Sequence, residues 1–176
     1  ETMPALSGDP ADRTLLVTLA GEIDPGTVLT LQIPPGLTDF AGNQPCTGDI
    51  RTGLPSGPAP GEIMFNELMP DPSPGCSEYM ELFNNSGKIF DLSALLLAGS
   101  SKGAATAITG LHRQLLPGAF VALTTGREDF ASVYPCADEK SVYRADRLPA
   151  LPDDCGTRLR YDRSLNVIDQ VVFSLG

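Results

Sequence analysis

The sequence has no tryptophan and a single histidine, and aromatic residues make up only 6% of its 176 residues. Any catalytic set that needs an imidazole must therefore use His112, which has no G-x-S-x-G motif or recognisable nucleophile beside it. We expect His112 to be a surface or strand-edge residue. The shortage of aromatic rings also disfavours a dedicated carbohydrate platform, because such platforms stack sugars on exposed rings.

Clusters of basic residues and long apolar runs are absent too. The chain has 12 Lys and Arg against 22 Asp and Glu, a net charge of −10. Nucleic-acid backbones and anionic lipid surfaces both attract basic patches, so we expect the chain to bind neither. No run approaches the roughly 18 apolar residues that a membrane span needs. The sequence opens at Glu1 without Met or a secretory signal, and we expect it to be a piece of a longer protein.

Four cysteines are present, and none is in C-x-x-C spacing. With one histidine, a zinc site is hard to complete. The cysteines lie in turn-rich surroundings, and an even number of them is compatible with two disulfides and an oxidising compartment. We favour the pairing Cys136–Cys155, which leaves Cys46–Cys76, although four cysteines allow three pairings. Free thiols on a cell surface are the alternative.

Glycine and proline are abundant instead, with 18 and 16 copies. That excess suits many short strands and turns and disfavours long helices, so the sequence predicts an all-β fold. Residues 14–20 (TLLVTLA) and 27–34 (TVLTLQIP) alternate apolar and polar side chains as half-buried strands do. Residues 127–134 are expected to make two helical turns. Residues 141–154 are expected to be irregular.

The end of the first segment, residues 36–43 (GLTDFAGN), follows a strand, a Pro-Gly turn and another strand. This order, with Gly36, Asp39, Gly42 and Asn43, resembles the C-terminal part of the bacterial Ig-like domains found in surface proteins. The resemblance implies that residues 1–53 are a partial β-sandwich without its first strands. Residues 54–60 (LPSGPAP) are rich in Pro, Gly and Ser and are expected to be a semi-stiff linker.

Two strand-like runs then carry acidic residues among apolar ones, at 62–69 (EIMFNELM) and 78–84 (EYMELFN). Simple alternation places Ile63, Phe65 and Met69 on one face together with Glu67. In the second run, alternation places Tyr79 and Phe83 on the face of Glu81, with Met80 and Leu82 opposite. A carboxylate among apolar side chains must find a hydrogen-bond partner or lie at the rim of the sheet.

The segment from residue 61 to residue 176 resembles the lamin tail domain, a small Ig-like sandwich that is also common in secreted and surface proteins of bacteria. Five segments occur in family order: the I-x-x-x-E strand, the E-Y-x-E-L-x-N strand, D-L-S, L-x-P-G-x-x-x-x-L and V-I-D-x-V-x-F. The matching residues are Ile63, Glu67, Glu78, Tyr79, Glu81, Leu82, Asn84, Asp91, Leu92, Ser93, Leu115, Pro117, Gly118, Leu123, Val167, Ile168, Asp169, Val171 and Phe173. The tryptophan that often follows D-L-S-G is missing, and Ala94-Leu95 stands there.

The acidic strands give the best candidate site. Glu67 and Glu81 would approach each other if the two strands pair, and together with Asp71 they could bind Ca²⁺ as a structural cofactor. Acid–base catalysis with Glu78 nearby is a second interpretation. The favoured one is that these glutamates stabilise the fold through hydrogen bonds. Asn84-Asn85-Ser86 also fits a glycosylation triplet.

These observations predict a non-enzymatic structural or binding module of a bacterial cell-surface or secreted protein, serving in spacing, adhesion or presentation of a neighbouring domain. Its expected partners are neighbouring domains of the same chain, or a protein or glycan of the cell envelope. The alternative is an ancillary domain of an extracellular hydrolase or nuclease, which would orient substrate for chemistry elsewhere in the protein.

Overall fold

Short strands separated by turns make up the fold, so the prediction of an all-β chain is confirmed. The computed structural model describes residues 5–7, 16–33, 36, 38, 41–44, 48–99, 104–109, 112–126, 130, 132–135, 137–149, 157–161 and 164–172. The first strands are β1 (Ala5–Ser7), β2 (Leu16–Thr18), β3 (Val28–Leu31), β4 (Ile50–Gly53), β5 (Ile63–Met69), β6 (Tyr79–Asn84) and β7 (Phe90–Asp91). They are followed by β8 (Leu95–Ala98), β9 (Thr106–Ala107), β10 (Gln114–Leu115), β11 (Phe120–Thr124), β12 (Val142–Arg144), β13 (Thr157–Tyr161) and β14 (Asn166–Val171).

Two four-stranded sheets form the main body. The front sheet has the order β12-β11-β6-β5, and the back sheet has the order β14-β13-β8-β9. Neighbouring strands are antiparallel except for β11 and β12, which run parallel. The back sheet meets the front sheet at one edge, where the amide of Gly61 donates to the carbonyl of Ile168 at 3.1 Å. Three further two-stranded pairs are β1-β2, β3-β4 and β7-β10.

One hydrophobic core lies between the two sheets. Both sheets contribute side chains to it, as the inner faces of a β-sandwich do. The buried members of this core are Ile63, Met80, Leu82, Phe90, Leu92, Leu95, Leu97, Ile108, Leu115, Val121, Leu123 and Ile168. Alternation along β6 fits this arrangement, because Met80 and Leu82 enter the core while Glu81 lies on the outer face of the front sheet.

Several predicted elements shift or gain a partner in the structure. Residues 92–98 form a 3-10 turn, Leu92–Ala94, followed by β8. The segment 141–154, expected to be irregular, begins with β12, which extends the front sheet. The strands predicted at 14–20 and 27–34 belong to two separate pairs. The first contains β2, which pairs with β1, and the second contains β3, which pairs with β4. The alternation expected for β3 is confirmed: Leu29 and Leu31 are half-buried, and Thr30 is exposed.

No helix in the described part of the chain is both long and apolar enough to cross a lipid bilayer. Two successive i→i+4 hydrogen bonds agree with the helical turns expected at 127–134: the amide of Phe130 donates to the carbonyl of Gly126 at 3.1 Å, and the amide of Tyr134 donates to the carbonyl of Phe130 at 2.8 Å. Phe130 is buried, whereas Val133 is exposed. Tyr134 is therefore the residue that shares the packed side of this turn with Phe130.

Candidate functional site

A β-bulge in β5 decides where Glu67 points. The register pairs Phe65 with Leu82 and then Glu67 with Glu81, so that Asn66 is an extra residue without a cross-strand partner. An extra residue reverses the alternation of all that follows it. Glu67 therefore lies on the outer face opposite Glu81. The expectation that it shares a face with Ile63 and Phe65 is wrong, because Ile63 is a core residue and Phe65 packs against that core.

Each of the two opposed carboxylates accepts a hydrogen bond from a neighbouring side chain. The hydroxyl of Tyr79 donates to Oε1 of Glu67 at 2.7 Å. Nδ2 of Asn66 donates to Oε1 of Glu81 at 2.7 Å. Burial, and then the hydrogen bond to Glu67, raise the pKa of the Tyr79 hydroxyl well above its usual range. The favoured interpretation, that these glutamates accept hydrogen bonds within the fold, agrees with this geometry.

Aromatic rings cover one end of the outer face. The Tyr79 ring contacts Phe130 edge-on, with centroids 5.1 Å apart, and Tyr134 in the same manner at 5.4 Å. Such edge-to-face pairs are favourable for aromatic rings. The three rings pack with Ala122 and Val142 in a second hydrophobic cluster, separate from the main core. The turn at residues 130–134 is therefore held down on the front sheet.

Between this aromatic cluster and the acidic strands lies a groove of about 560 Å³. Three carboxylates border it, from Glu67, Glu81 and Asp138. The remaining lining residues are Asn66, Tyr79, Phe120, Ala122, Phe130, Tyr134, Ala137, Ser141 and Val142. Asp138 also closes its own turn, because its Oδ1 accepts a 3.0 Å hydrogen bond from the amide of Lys140. We call this feature the acidic groove.

Sequence reasoning found two of these carboxylates and missed the other side of the groove. Tyr134 ends the predicted helical turns at 127–134 and Asp138 follows them, and nothing in the sequence connects either residue to the acidic strands. The sequence around Asn66 does indicate a β-bulge. Asparagine is disfavoured inside strands, and the adjacent polar residues Asn66 and Glu67 interrupt the alternation there.

The structure brings Glu67 and Glu81 together without gathering a third metal ligand. Among the described residues, no group of three His, Cys, Asp or Glu side chains is placed to hold a metal ion. The calcium site with Asp71 therefore stays a prediction. Glu78 does not border the groove. Its carbonyl accepts a bond from the Thr124 hydroxyl, and burial raises the pKa of its carboxyl.

His112 does contact a serine and an aspartate, but not as a catalytic triad. Nδ1 lies 2.5 Å from Oδ2 of Asp91 and 3.2 Å from Oγ of Ser93. A triad needs the carboxylate on one ring nitrogen and the nucleophile on the other, whereas here both partners contact the same nitrogen. The imidazole is 90% exposed, which agrees with the predicted surface histidine.

The role of Asp91 in this cluster is local and structural. Its Oδ1 accepts hydrogen bonds from the amides of Ser93 (2.9 Å) and Arg113 (3.2 Å), so that it caps the 3-10 turn and ties it to the approach of β10. Partial burial would raise the pKa of its carboxyl. The hydrogen bonds from His112, Ser93 and Arg113 outweigh that effect and hold the pKa below its usual value.

The asparagine that would carry a glycan in this triplet, Asn84, is buried instead. Asn84 is 0% exposed, and its Nδ2 donates to the carbonyls of Lys88 (2.8 Å) and Leu115 (3.1 Å). Its Oδ1 accepts from the amide and hydroxyl of Ser86. A glycan would replace one of the two N–H groups of Nδ2, so that at least one donated bond would be lost, and it would need space that the buried site does not have. Folding and glycosylation at Asn84 therefore exclude each other.

The cysteines can be placed only in part. Cys76 is half-buried in the loop between β5 and β6, and it has no disulfide partner among the described residues. Cys46, Cys136 and Cys155 lie outside the described residues, so the pairing of the four cysteines stays a prediction.

Comparison with known protein families gave no match, and a search of curated proteins gave none either. The lamin-tail and Ig-like resemblances therefore rest on the motif residues alone. What the structure adds is the all-β architecture with two packed sheets.

Proposed function

We propose that this chain is a non-enzymatic structural module of a secreted or cell-surface protein, which holds the β3-β4 hairpin in a fixed position against a lamin-tail-like sandwich. The supporting observation is a joint in which backbone hydrogen bonds connect three segments: the turn before β3, the residues after β4, and Ile89, which directly precedes β7. Two units joined by a flexible linker would move independently, whereas a spacer requires a defined geometry.

Gly26 is the centre of this joint. Its amide donates to the carbonyl of Leu54 at 2.7 Å, and its carbonyl accepts from the amide of Ile89 at 3.2 Å. The residue has φ of +90°, and an added Cβ would lie 3.1 Å from Oγ of Ser56 and 3.2 Å from Cγ of Lys88. Glycine is therefore the residue that both the backbone conformation and the space favour.

The predicted linker is held along the sandwich. The amide of Ser56 donates to the carbonyl of Ile89 at 3.0 Å, and the amide of Ala59 donates to Oε2 of Glu62 at 2.8 Å. Glu62 in turn pairs with Lys88 at 2.7 Å. These bonds fix both ends of the segment between the hairpin and β5. The bounds of the two domains stay a prediction. The hydrogen bonds at residues 54–60 support a linker with a fixed conformation.

Gln114 of β10 forms hydrogen bonds with the last residues of β4. Its Nε2 donates to the carbonyl of Gly53, and its Oε1 accepts from the hydroxyl of Thr52, both at 3.0 Å. A side-chain amide that bonds one residue's hydroxyl and the next residue's carbonyl fixes orientation as well as distance. The β7-β10 pair therefore serves as the docking edge for the hairpin.

Residual dipolar couplings of backbone amides test the joint. In a rigid module, one alignment tensor fits the amides of β3 and β4 together with those of β6 and β11. Gly53→Ala should break this agreement, because an added Cβ would lie 1.9 Å from the carbonyl oxygen of Thr27 and the end of the hairpin must shift.

Gly48→Ala is the matched control. An added Cβ at this position has no atom within 4 Å, so its couplings should keep the wild-type fit. A wild-type chain whose hairpin amides require a separate tensor would overturn the proposed fixed joint, since the hairpin would then move independently of the sandwich.

A further inference from the structure

The acidic groove has a one-sided charge. Three carboxylates border it, and none of the lining residues in the described part of the chain is Lys, Arg or His. Like charges placed directly opposite each other on neighbouring strands destabilise a sheet. Glu67 and Glu81 occupy such a position. The groove therefore has an electrostatic preference for a cation.

The hydrogen bonds of these two glutamates are donated by neutral groups. Tyr79 and Asn66 each donate to one oxygen, so that the carboxylates are oriented by neutral partners. Within the described residues, no Lys, Arg or His lies within 4 Å of either carboxylate, whereas nearby Glu62 is paired with Lys88. The second oxygen of each carboxylate accepts no hydrogen bond from the described part of the chain. Glu67 and Glu81 are thus held in place by hydrogen bonds, but no basic side chain of the described residues pairs with them.

Aromatic faces complete the groove. Phe130 and Tyr134 border it on one side, and Phe120 lies on the other side with its ring stacked on Phe83 at 4.5 Å. Phe120 is 44% exposed, although it is the first residue of β11, an inner strand of the front sheet. Cations are attracted to aromatic faces, and a guanidinium both stacks on rings and bonds carboxylates with two donors. A volume of about 560 Å³ leaves room for such a side chain.

We propose that the acidic groove binds an arginine side chain from an extended basic peptide segment. The charge of the lining selects a cation, and the rings together with the opposed carboxylates favour a planar guanidinium over a compact ammonium. This binding site is independent of the joint that carries the structural role, because the groove is on the front sheet and the joint is at the β7-β10 edge.

The test is an amide NMR titration with the peptide acetyl-Gly-Ser-Arg-Ser-Gly-amide and with versions that carry lysine or norleucine in place of arginine. We expect shifts at residues lining the groove with the arginine peptide, weaker binding of the lysine peptide, and none of the norleucine peptide. Glu81→Gln and Glu67→Gln should each lower the affinity for the arginine peptide by about tenfold, which is the effect expected from the loss of one charge-assisted hydrogen bond.

Glu22→Gln is the matched control, because it removes one negative charge from an exposed residue of the N-terminal segment. It should leave the affinity within about twofold of the wild type, as expected for screened long-range attraction. Equal losses in Glu22→Gln and Glu81→Gln overturn the proposal, since binding would then reflect net charge alone. Absence of shifts in the groove with the arginine peptide overturns it as well. Neither result bears on the rigid joint, which is tested by the alignment of the hairpin.

Discussion

The hydroxyl of Tyr79 donates a 2.7 Å hydrogen bond to Glu67, and the two residues lie on neighbouring strands at the start of β6 and near the end of β5. The Tyr79 ring is buried among Phe130 and Tyr134. One tyrosine therefore connects the aromatic cluster that covers the front sheet with a carboxylate of the acidic groove. This connection makes Tyr79 the residue on which the shape of the groove depends most.

Tyr79→Phe should reduce the free energy of unfolding by about 1 kcal/mol at neutral pH, because the ring stays but the hydrogen bond is lost. Burial and Glu67 raise the pKa of the folded hydroxyl above the unfolded value of about 10. The folded state thus holds this proton more tightly, and its stabilising contribution is complete below about pH 10 and lost as the pH rises further.

Urea unfolding of both proteins at several pH values measures this effect. The difference in stability between wild type and Tyr79→Phe should be constant below about pH 10 and should shrink above it. A difference that stays constant up to pH 11 would contradict the assignment of the raised pKa to Tyr79.

The bulge at Asn66 shows where sequence patterns reach their limit. The period-two pattern of β5 correctly predicted a strand, and alternation along β6 correctly separated Met80 and Leu82 from Glu81. The adjacent polar residues Asn66 and Glu67 indicate an interruption of the alternation, but the period alone does not say which face Glu67 takes after it. The pairing partner decides it, and that information is not local.

The same reason explains the other misses. The strand β12 is three residues long, and it exists because β11 offers it a parallel edge. The strand β4 likewise depends on β3. In contrast, β11 has a continuous apolar run after a Pro-Gly turn, which is local evidence for a strand. Elements with their own burial pattern are thus readable from the sequence, whereas elements stabilised by a neighbour are not.

Deletion of Asn66 should be tolerated. The register already pairs Phe65 with Leu82 and Glu67 with Glu81, so removing the extra residue leaves every pair and both faces intact. Deletion of Met64 is the matched control, because it moves either Ile63 or Phe65 to the wrong face. We expect thermal unfolding to stay cooperative without Asn66, with a midpoint within a few degrees of wild type, and to lose its cooperative transition without Met64. Equal effects of the two deletions would contradict the assigned bulge.

Asn84→Ala should cost about 3 kcal/mol of stability, because it leaves the buried carbonyls of Lys88 and Leu115 without their donor and releases the turn at Ser86. Asn85→Ala is the control, since that side chain is exposed and the hydrogen bond from the backbone amide of Asn85 to the carbonyl of Glu62 is unaffected. A surface substitution of this kind should change stability by no more than about 0.5 kcal/mol. Similar losses in both variants, measured by chemical denaturation, would contradict the structural role of Asn84.

Asp91 should give the fold part of its resistance to acid. Its pKa is held below the unfolded value of about 3.9, chiefly because the bonds from His112, Ser93 and Arg113 outweigh partial burial. The folded state therefore favours the ionised carboxylate. Its contribution is present above about pH 4 and is lost as the pH falls through the folded pKa.

Asp91→Asn removes the titration but keeps a side chain that can still cap the turn. We expect it to cost about 1 kcal/mol at pH 7, because hydrogen bonds to a charged acceptor are stronger than those to a neutral one, and the difference from wild type should shrink below about pH 4. His112→Ala should reduce stability by less, because the hydrogen bonds from the amides of Ser93 and Arg113 to Oδ1 of Asp91 stay in place. Unfolding free energies between pH 3 and pH 7 measure both variants. A constant difference for Asp91→Asn down to pH 3 would show that the carboxylate gains nothing from its charge in the folded chain.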